Sequence, residues 1–160
     1  MEQRRGFLGE LRVADTLVAA DAEVSVDVVL TAVEGGLEVA GTVRAEWQGE
    51  CRRCLRPVGG ELRAEVRELY RPRAEGEVDD EETYPLGVDH LDLVPLARDA
   101  VLLTLPLAPL CREDCVGLCP SCGADLAEGD CGCDTTFADP RWGPLDALRD
   151  LGGADAGSAS

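Results

Sequence analysis

The stretch "VSVDVVLTAVEGGLEVAGTVRAEWQGECRRC", residues 24–54, decides how the chain folds. In its first ten residues Val24, Val26, Val28, Leu30 and Ala32 fall on one face, as a half-buried strand requires. "EGG" at 34–36 supplies the glycines that a hairpin turn needs for positive φ. Leu37, Val39, Val43 and Trp47 then repeat the two-residue period. The pattern predicts an antiparallel hairpin that runs directly into "CRRC", residues 51–54. Beyond it, "ELRAEVRELY" at 61–70 fits two periods. Leu62, Val66 and Leu69 suit a helix, whereas Leu62, Ala64, Val66 and Tyr70 suit a strand. A short metal knuckle usually sits in the turn of a hairpin, which favours a third antiparallel strand.

Further along, "DLVPLARDAVLLTL" at 92–105 reads as a helix. Asp92 can cap it, and Pro95 falls in the first turn, where its missing N–H is harmless. Pro106 and Pro109 end it. The expected class is α+β: a small antiparallel sheet, hairpin or meander, packed with one main helix and followed by a cysteine-rich, zinc-binding C-terminal region. One domain over 1–151 is expected. Its parts are a β-rich stretch at 20–73, an acidic loop at 74–90, a helix at 91–110, a metal region at 111–133 and a closing helix at 139–151. Residues 152–160, "GADAGSAS" with its preceding glycine, read as a disordered tail.

The eight cysteines carry the chemistry. "CREDCVGLCPSCGADLAEGDCGC", residues 111–133, holds six of them. In "CPSCG" two cysteines separated by two residues can reach one metal from a tight turn, and Gly123 suits the left-handed backbone that follows. "CGC" comes eight residues later. Cys119, Cys122, Cys131 and Cys133 therefore make a local set of four thiolate ligands. Cys51, Cys54, Cys111 and Cys115 make a second set, and zinc favours closed four-coordinate sites. Grouping "CRRC" with Cys119 and Cys122 is the alternative; it leaves the other four cysteines with less natural geometry. Two zinc ions are expected. Cys115, Cys119 and Cys122 also show C-x3-C-x2-C, so an iron–sulfur cluster is the alternative cofactor.

No secretory signal is read at the N-terminus, because Glu10, Arg12, Asp15 and Asp21 break any apolar run there. No stretch approaches transmembrane length. A cytoplasmic location is expected, where thiols stay reduced and a disulfide framework is disfavoured. Catalysis has no visible seat. The single histidine, His90, lies in "DHLD", and there is no Ser-His-Asp set and no glycine-rich phosphate loop. Zinc saturated by thiolates activates no water, which also argues against a nuclease.

The net charge of −17 is unevenly spread. Residues 44–73 hold eight Arg against five acids, the only basic window, centred on "CRRC". All fifteen basic residues are Arg. Arg52, Arg53 and Arg56 are the candidate RNA contacts, since a zinc turn bearing three arginines can meet phosphates. The acidic bulk suits a basic protein partner instead.

The order of these parts resembles the YceD family: a strand pair leading into "CRRCLRPV", an acidic segment, "DLVPLARDAVLLTLPLAPLC", the cysteine-rich run, and a terminal "DPRWGPLDAL". The resemblance spans about residues 20–150 and looks like the actinobacterial branch. It places Cys51 and Cys54 on the family's upstream pair. It implies an intracellular bacterial protein with a role in accumulation or processing of the large-subunit ribosomal RNA precursor. The expected function is a non-enzymatic ribosome-biogenesis factor for 23S ribosomal RNA with structural zinc. Its partner would be the ribosomal RNA precursor or a basic large-subunit ribosomal protein, with no membrane and no small-molecule substrate. The alternative is a metal-buffering or thiol redox-sensing protein.

Overall fold

The computed structural model describes residues 1–72, 83–134 and 140–145. The chain forms two compact units, Met1–Val116 and Gly117–Ser160. In the first unit seven strands join in one sheet: β1 (Glu2–Gly6), β2 (Leu11–Val13), β3 (Thr16–Val18), β4 (Val24–Val33), β5 (Gly36–Glu50), β6 (Pro57–Pro72) and β7 (Tyr84–Leu86). Helix α1 (Val94–Thr104) follows. The class is α+β, a mostly antiparallel sheet with one main helix.

The hairpin foreseen at 24–48 is β4 and β5. They pair from Val33↔Gly36 to Ser25↔Arg44, with Gly35 at φ 78° in the turn. The alternation holds where the sheet is covered: Val24, Val26 and Val28 are buried, while Ser25 and Asp27 are half-buried and Val29 is exposed. Residues 61–70 lie in β6 and follow the strand period. Leu62, Ala64 and Tyr70 are buried, whereas Arg63, Glu65 and Arg67 are exposed.

β5 is the axis of the sheet. It pairs with β6 from Leu37↔Tyr70 to Glu50↔Pro57 along one edge. Its other edge is shared, β4 taking residues 36–44 and β3 taking Gln48 and Gly49. Close approach sets its glycines. A Cβ on Gly41 would stand 2.7 Å from the Val28 Cα and against the Asp27 carbonyl, so a side chain there would force β4 away.

Four strands lie outside the expected β-rich stretch. β1 pairs with β4, and β2 and β3 form a small hairpin around Ala14, whose φ is 50°. Residues 84–86, assigned to the acidic loop by the sequence, pair in parallel with Tyr70–Pro72 as β7. There the Tyr70 and Tyr84 rings stack at 5.2 Å. Residues 74–82 of that loop lie outside the described residues, as does the expected tail at 152–160. Of the closing helix at 139–151, residues Pro140–Leu145 form a 3-10 helix; the rest lies outside the described residues.

α1 lies against the sheet's buried face. Leu96, Ala97, Ala100 and Val101 recur at helical spacing and are all buried. They meet Leu11, Val18, Val39, Val43, Leu62 and Tyr70 in one core. Asp92 acts at the helix start: its Oδ1 accepts the Val94 N–H at 2.9 Å. The helix is also tied at both ends. The Tyr70 hydroxyl donates to the Asp92 carbonyl at 3.1 Å. The buried Thr16 hydroxyl is shared between the carbonyls of Val13, at 2.9 Å, and Pro106, at 3.0 Å. The Pro106 bond fixes where the chain leaves α1, and so where the next cysteines arrive.

Candidate metal centres

β5 and β6 are joined by Cys51–Arg56, so the knuckle is the hairpin's own loop. The Cys51 N–H donates to the Arg56 carbonyl and the Leu55 N–H to the Cys51 carbonyl, both at 2.8 Å. The segment after α1 comes alongside, with the Arg52 N–H donating to the Pro109 carbonyl at 2.9 Å. This brings Cys111 and Cys115 to the knuckle. The four Sγ atoms of Cys51, Cys54, Cys111 and Cys115 all lie within 4.8 Å of one another. Cys51 and Cys115 are 3.8 Å apart, and Cys54 and Cys111 3.6 Å. Four sulfurs at ~2.3 Å around one tetrahedral ion stand roughly 3.8 Å apart. A disulfide would need ~2.05 Å. The spacing would suit four thiolates round a single ion.

The second set lies wholly in the second unit. Cys119, Cys122, Cys131 and Cys133 also gather within 4.8 Å. The Cys119 N–H donates to the Ala124 carbonyl, and the Gly123 N–H to the Cys119 carbonyl, both at 2.8 Å. The Gly123 bond repeats the Leu55 bond of the first knuckle. Both following residues are left-handed, Gly123 at φ 75° and Leu55 at φ 60°. Glycine adopts that conformation without strain; leucine does not. Asp125 and Asp130 shape the return loop by accepting the N–H groups of Ala127 and Gly132, each at 2.9 Å.

Electrostatics separate the thiols within each set. Burial pushes the Cys51 thiol up, but the backbone N–H groups of Cys111, Cys54 and Arg53 bring it down to about 6. Backbone N–H groups of Cys122 and Ser121 likewise bring Cys119 down to about 6. Burial and hydrogen bonds with Cys115 and Cys54 push Cys111 up to about 12, and hydrogen bonds with Cys122 and Cys131 push Cys133 up to about 12. One sulfur of each set is thus poised as a thiolate at neutral pH. A bound metal must displace the protons of Cys111 and Cys133, so acid opposes binding.

The three arginines of the first knuckle do not act alike. Arg53 reaches across the set: its guanidinium donates to the carbonyls of Cys115 at 2.7 Å and Glu113 at 3.4 Å. It holds the incoming segment against the loop, a role that no sequence signal marks. Arg52 and Arg56 are exposed. Arg53→Ala removes a charge-assisted bond from a partly exposed site and should cost about 1 kcal/mol. The sensitive readout is kinetic: a chelator should strip the first set faster in the variant, while the second set keeps its rate.

His90 is exposed and joins neither cluster. No helix among the described residues is long and apolar enough to cross a membrane.

The sequence profile of the family described as "Large ribosomal RNA subunit accumulation protein YceD" matches residues 39–149. That span includes both cysteine sets. An uncharacterized protein of Mycobacterium tuberculosis is 41% identical over 139 residues, covering 84% of this chain and 67% of that protein. One from Mycobacterium leprae is 36% identical over 130 residues, 78% of this chain and 58% of that protein. A protein of Arabidopsis thaliana named as a chloroplastic YCED homolog of the large ribosomal RNA subunit accumulation protein is 34% identical over 67 residues, 42% of this chain and 21% of that protein. No solved structure matches the chain.

Proposed function

The chain belongs to the YceD family, and from that premise we propose that it is a non-enzymatic ribosome-biogenesis factor supporting accumulation or processing of large-subunit, 23S, ribosomal RNA. The family match over residues 39–149 carries this reading. The two four-thiol sets serve it as structural zinc sites. Zinc is favoured by donor chemistry, four soft thiolates per set, and by sulfur spacing that suits one ion each. An iron–sulfur cluster fits less well, because its thiolates bind separate irons rather than converge on one ion. Four thiolates on each ion leave no open position for an activated water.

The acting location is the cytoplasm, and the partner is the ribosomal RNA precursor or a basic large-subunit ribosomal protein. Arg52, Arg53 and Arg56 at the knuckle are the candidate RNA contacts, and Arg53 also holds the segment beside them. Cells depleted of the protein should accumulate less large-subunit RNA relative to small-subunit RNA, measured on ribosome profiles and RNA gels. Unchanged ratios after depletion would remove the proposal. The second reading, a thiol redox or metal-buffering role, draws on one observation: Cys122 is exposed and Cys131 and Cys133 are only half-buried. It requires the second set to release zinc under mild oxidant while the fold persists.

A further inference from the structure

β6 is sixteen residues long, but among the described residues only one of its edges is covered along its length. Among the described residues, β7 alone pairs with the other edge, and only at Tyr70–Pro72. Residues 57–69 present an open strand edge. Such edges are usually blunted, because their free N–H and C=O groups invite another strand.

The hydrogen-bonding phase of that edge is fixed. The Cys51 N–H donates to the Arg56 carbonyl at 2.8 Å, in the same register as the β5–β6 ladder. Bonded and non-bonded pairs alternate along an antiparallel ladder. Even-numbered residues of β6 therefore bond to β5. Odd-numbered residues, from Pro57 through Leu69, aim their N–H and C=O groups at the open edge. Pro57, which has no N–H, falls among the odd residues, where strand prolines are tolerated.

The odd residues are also the exposed, charged ones, in the order Glu61, Arg63, Glu65, Arg67. We propose that this edge pairs with the same edge of a second copy over residues 59–69, clear of β7, antiparallel and centred on Ala64, joining two seven-stranded sheets into one about a two-fold axis. In that register Glu61 faces the partner's Arg67 and Arg63 faces the partner's Glu65, and symmetry repeats both contacts. All four charged pairs are of opposite charge, and all four are hydrogen-bonded pairs in the phase that the edge offers. Centring on Arg63 sets Arg63 against the partner's Arg63 and Glu61 against the partner's Glu65. Centring on Glu65 sets Glu65 against the partner's Glu65 and Arg63 against the partner's Arg67. Like charges opposite one another destabilise a sheet, and centring on Leu62 or Val66 forms fewer opposite-charge pairs along the open edge, so the Ala64 register is favoured.

Two further observations favour a second copy as the occupant. Glu61 and Arg67 already have ion-pair partners within the sheet, Arg44 and Glu38. Arg63 and Glu65, which would meet nearest the axis, have none among the described residues. On the inner side of the edge, a cleft of about 130 Å³ between β6 and α1 is lined by Ala64, Val66, Leu96, Ala100 and Leu103. Leu103 is 88% exposed, an apolar side chain that the pairing would bring towards the axis.

The test is the solution mass of the full, metal-loaded chain by light scattering and sedimentation over a concentration series. The wild type should reach twice its 17.0 kDa mass. Arg63→Glu changes both symmetry-related contacts into like-charge pairs and should give a monomer with unchanged circular dichroism and metal content. Adding Glu65→Arg restores opposite charges and should restore the dimer. Amide exchange supplies a readout on the unmodified chain: Arg63 and Glu65 should become protected as concentration rises. A wild type that stays monomeric, an Arg63→Glu variant that stays dimeric, or a double variant that stays monomeric would each overturn the proposal.

Discussion

Cys51→Ser should reduce bound metal from two ions to one and lower the main melting transition by roughly 10 °C or more. Cys51 is the deepest ligand of its set, fully buried between the knuckle and the segment after α1. Its sulfur is the one that backbone N–H groups hold ionised near pH 6, so it is the natural first ligand. Serine supplies a poor zinc donor and places a hydroxyl where three thiols converge. The loss then propagates. The set joins the β5–β6 loop to residues 111–115, a closure across sixty-four positions from Cys51 to Cys115. Freed of it, the segment after α1 keeps the Arg53 and Arg52 bonds to the loop. Metal analysis beside thermal melting measures both effects. Two ions retained with unchanged melting would show that the set is not a metal site.

Cys122→Ser should also remove one metal, but with the opposite distribution of damage. Among the described residues the buried apolar core lies within the first unit, its last member being Leu105. Among the described residues of the second unit, the only buried side chain is that of Cys119. A segment with so little apolar burial cannot offset the entropy of ordering its own backbone. Metal binding is then the main source of its folding free energy. Amide protection across residues 118–133 should be lost altogether, while the sheet melts where the wild type does. Dispersed, protected resonances in that segment after metal loss would contradict this account.

The parts of the fold legible in the sequence are those whose signal is local. β4 and β5 show strict alternation around a glycine turn, and α1 shows a capped apolar stripe between prolines. β1 was illegible because "EQRRG" has no apolar face; it is a strand because β4 offers it a ladder. β2, β3 and β7 have three residues each, too few to establish a period. Residues 61–70 were ambiguous until the pairing partner was known, since helix and strand periods share Leu62 and Val66. The two sets of four thiols that the fold brings together are those suggested by spacing and by the count of eight. The sequence groups Arg53 with Arg52 and Arg56 and does not reveal the bonds that Arg53 makes. Its carbonyl partners lie sixty positions away, and nothing local encodes them.

The first cysteine set also imposes an order of events during synthesis. At about 5–20 residues per second, roughly 3–13 s separate the making of Cys51 from that of Cys115. β1 to β5 precede that interval, β6, β7 and α1 are made within it, and α1 is completed before Cys111 appears. The sheet must assemble with Cys51 and Cys54 still unmatched, and metal capture by the full set comes after the core has formed. A nascent chain is therefore dependent on the metal supply only at the end, when one ion closes a structure that is already built.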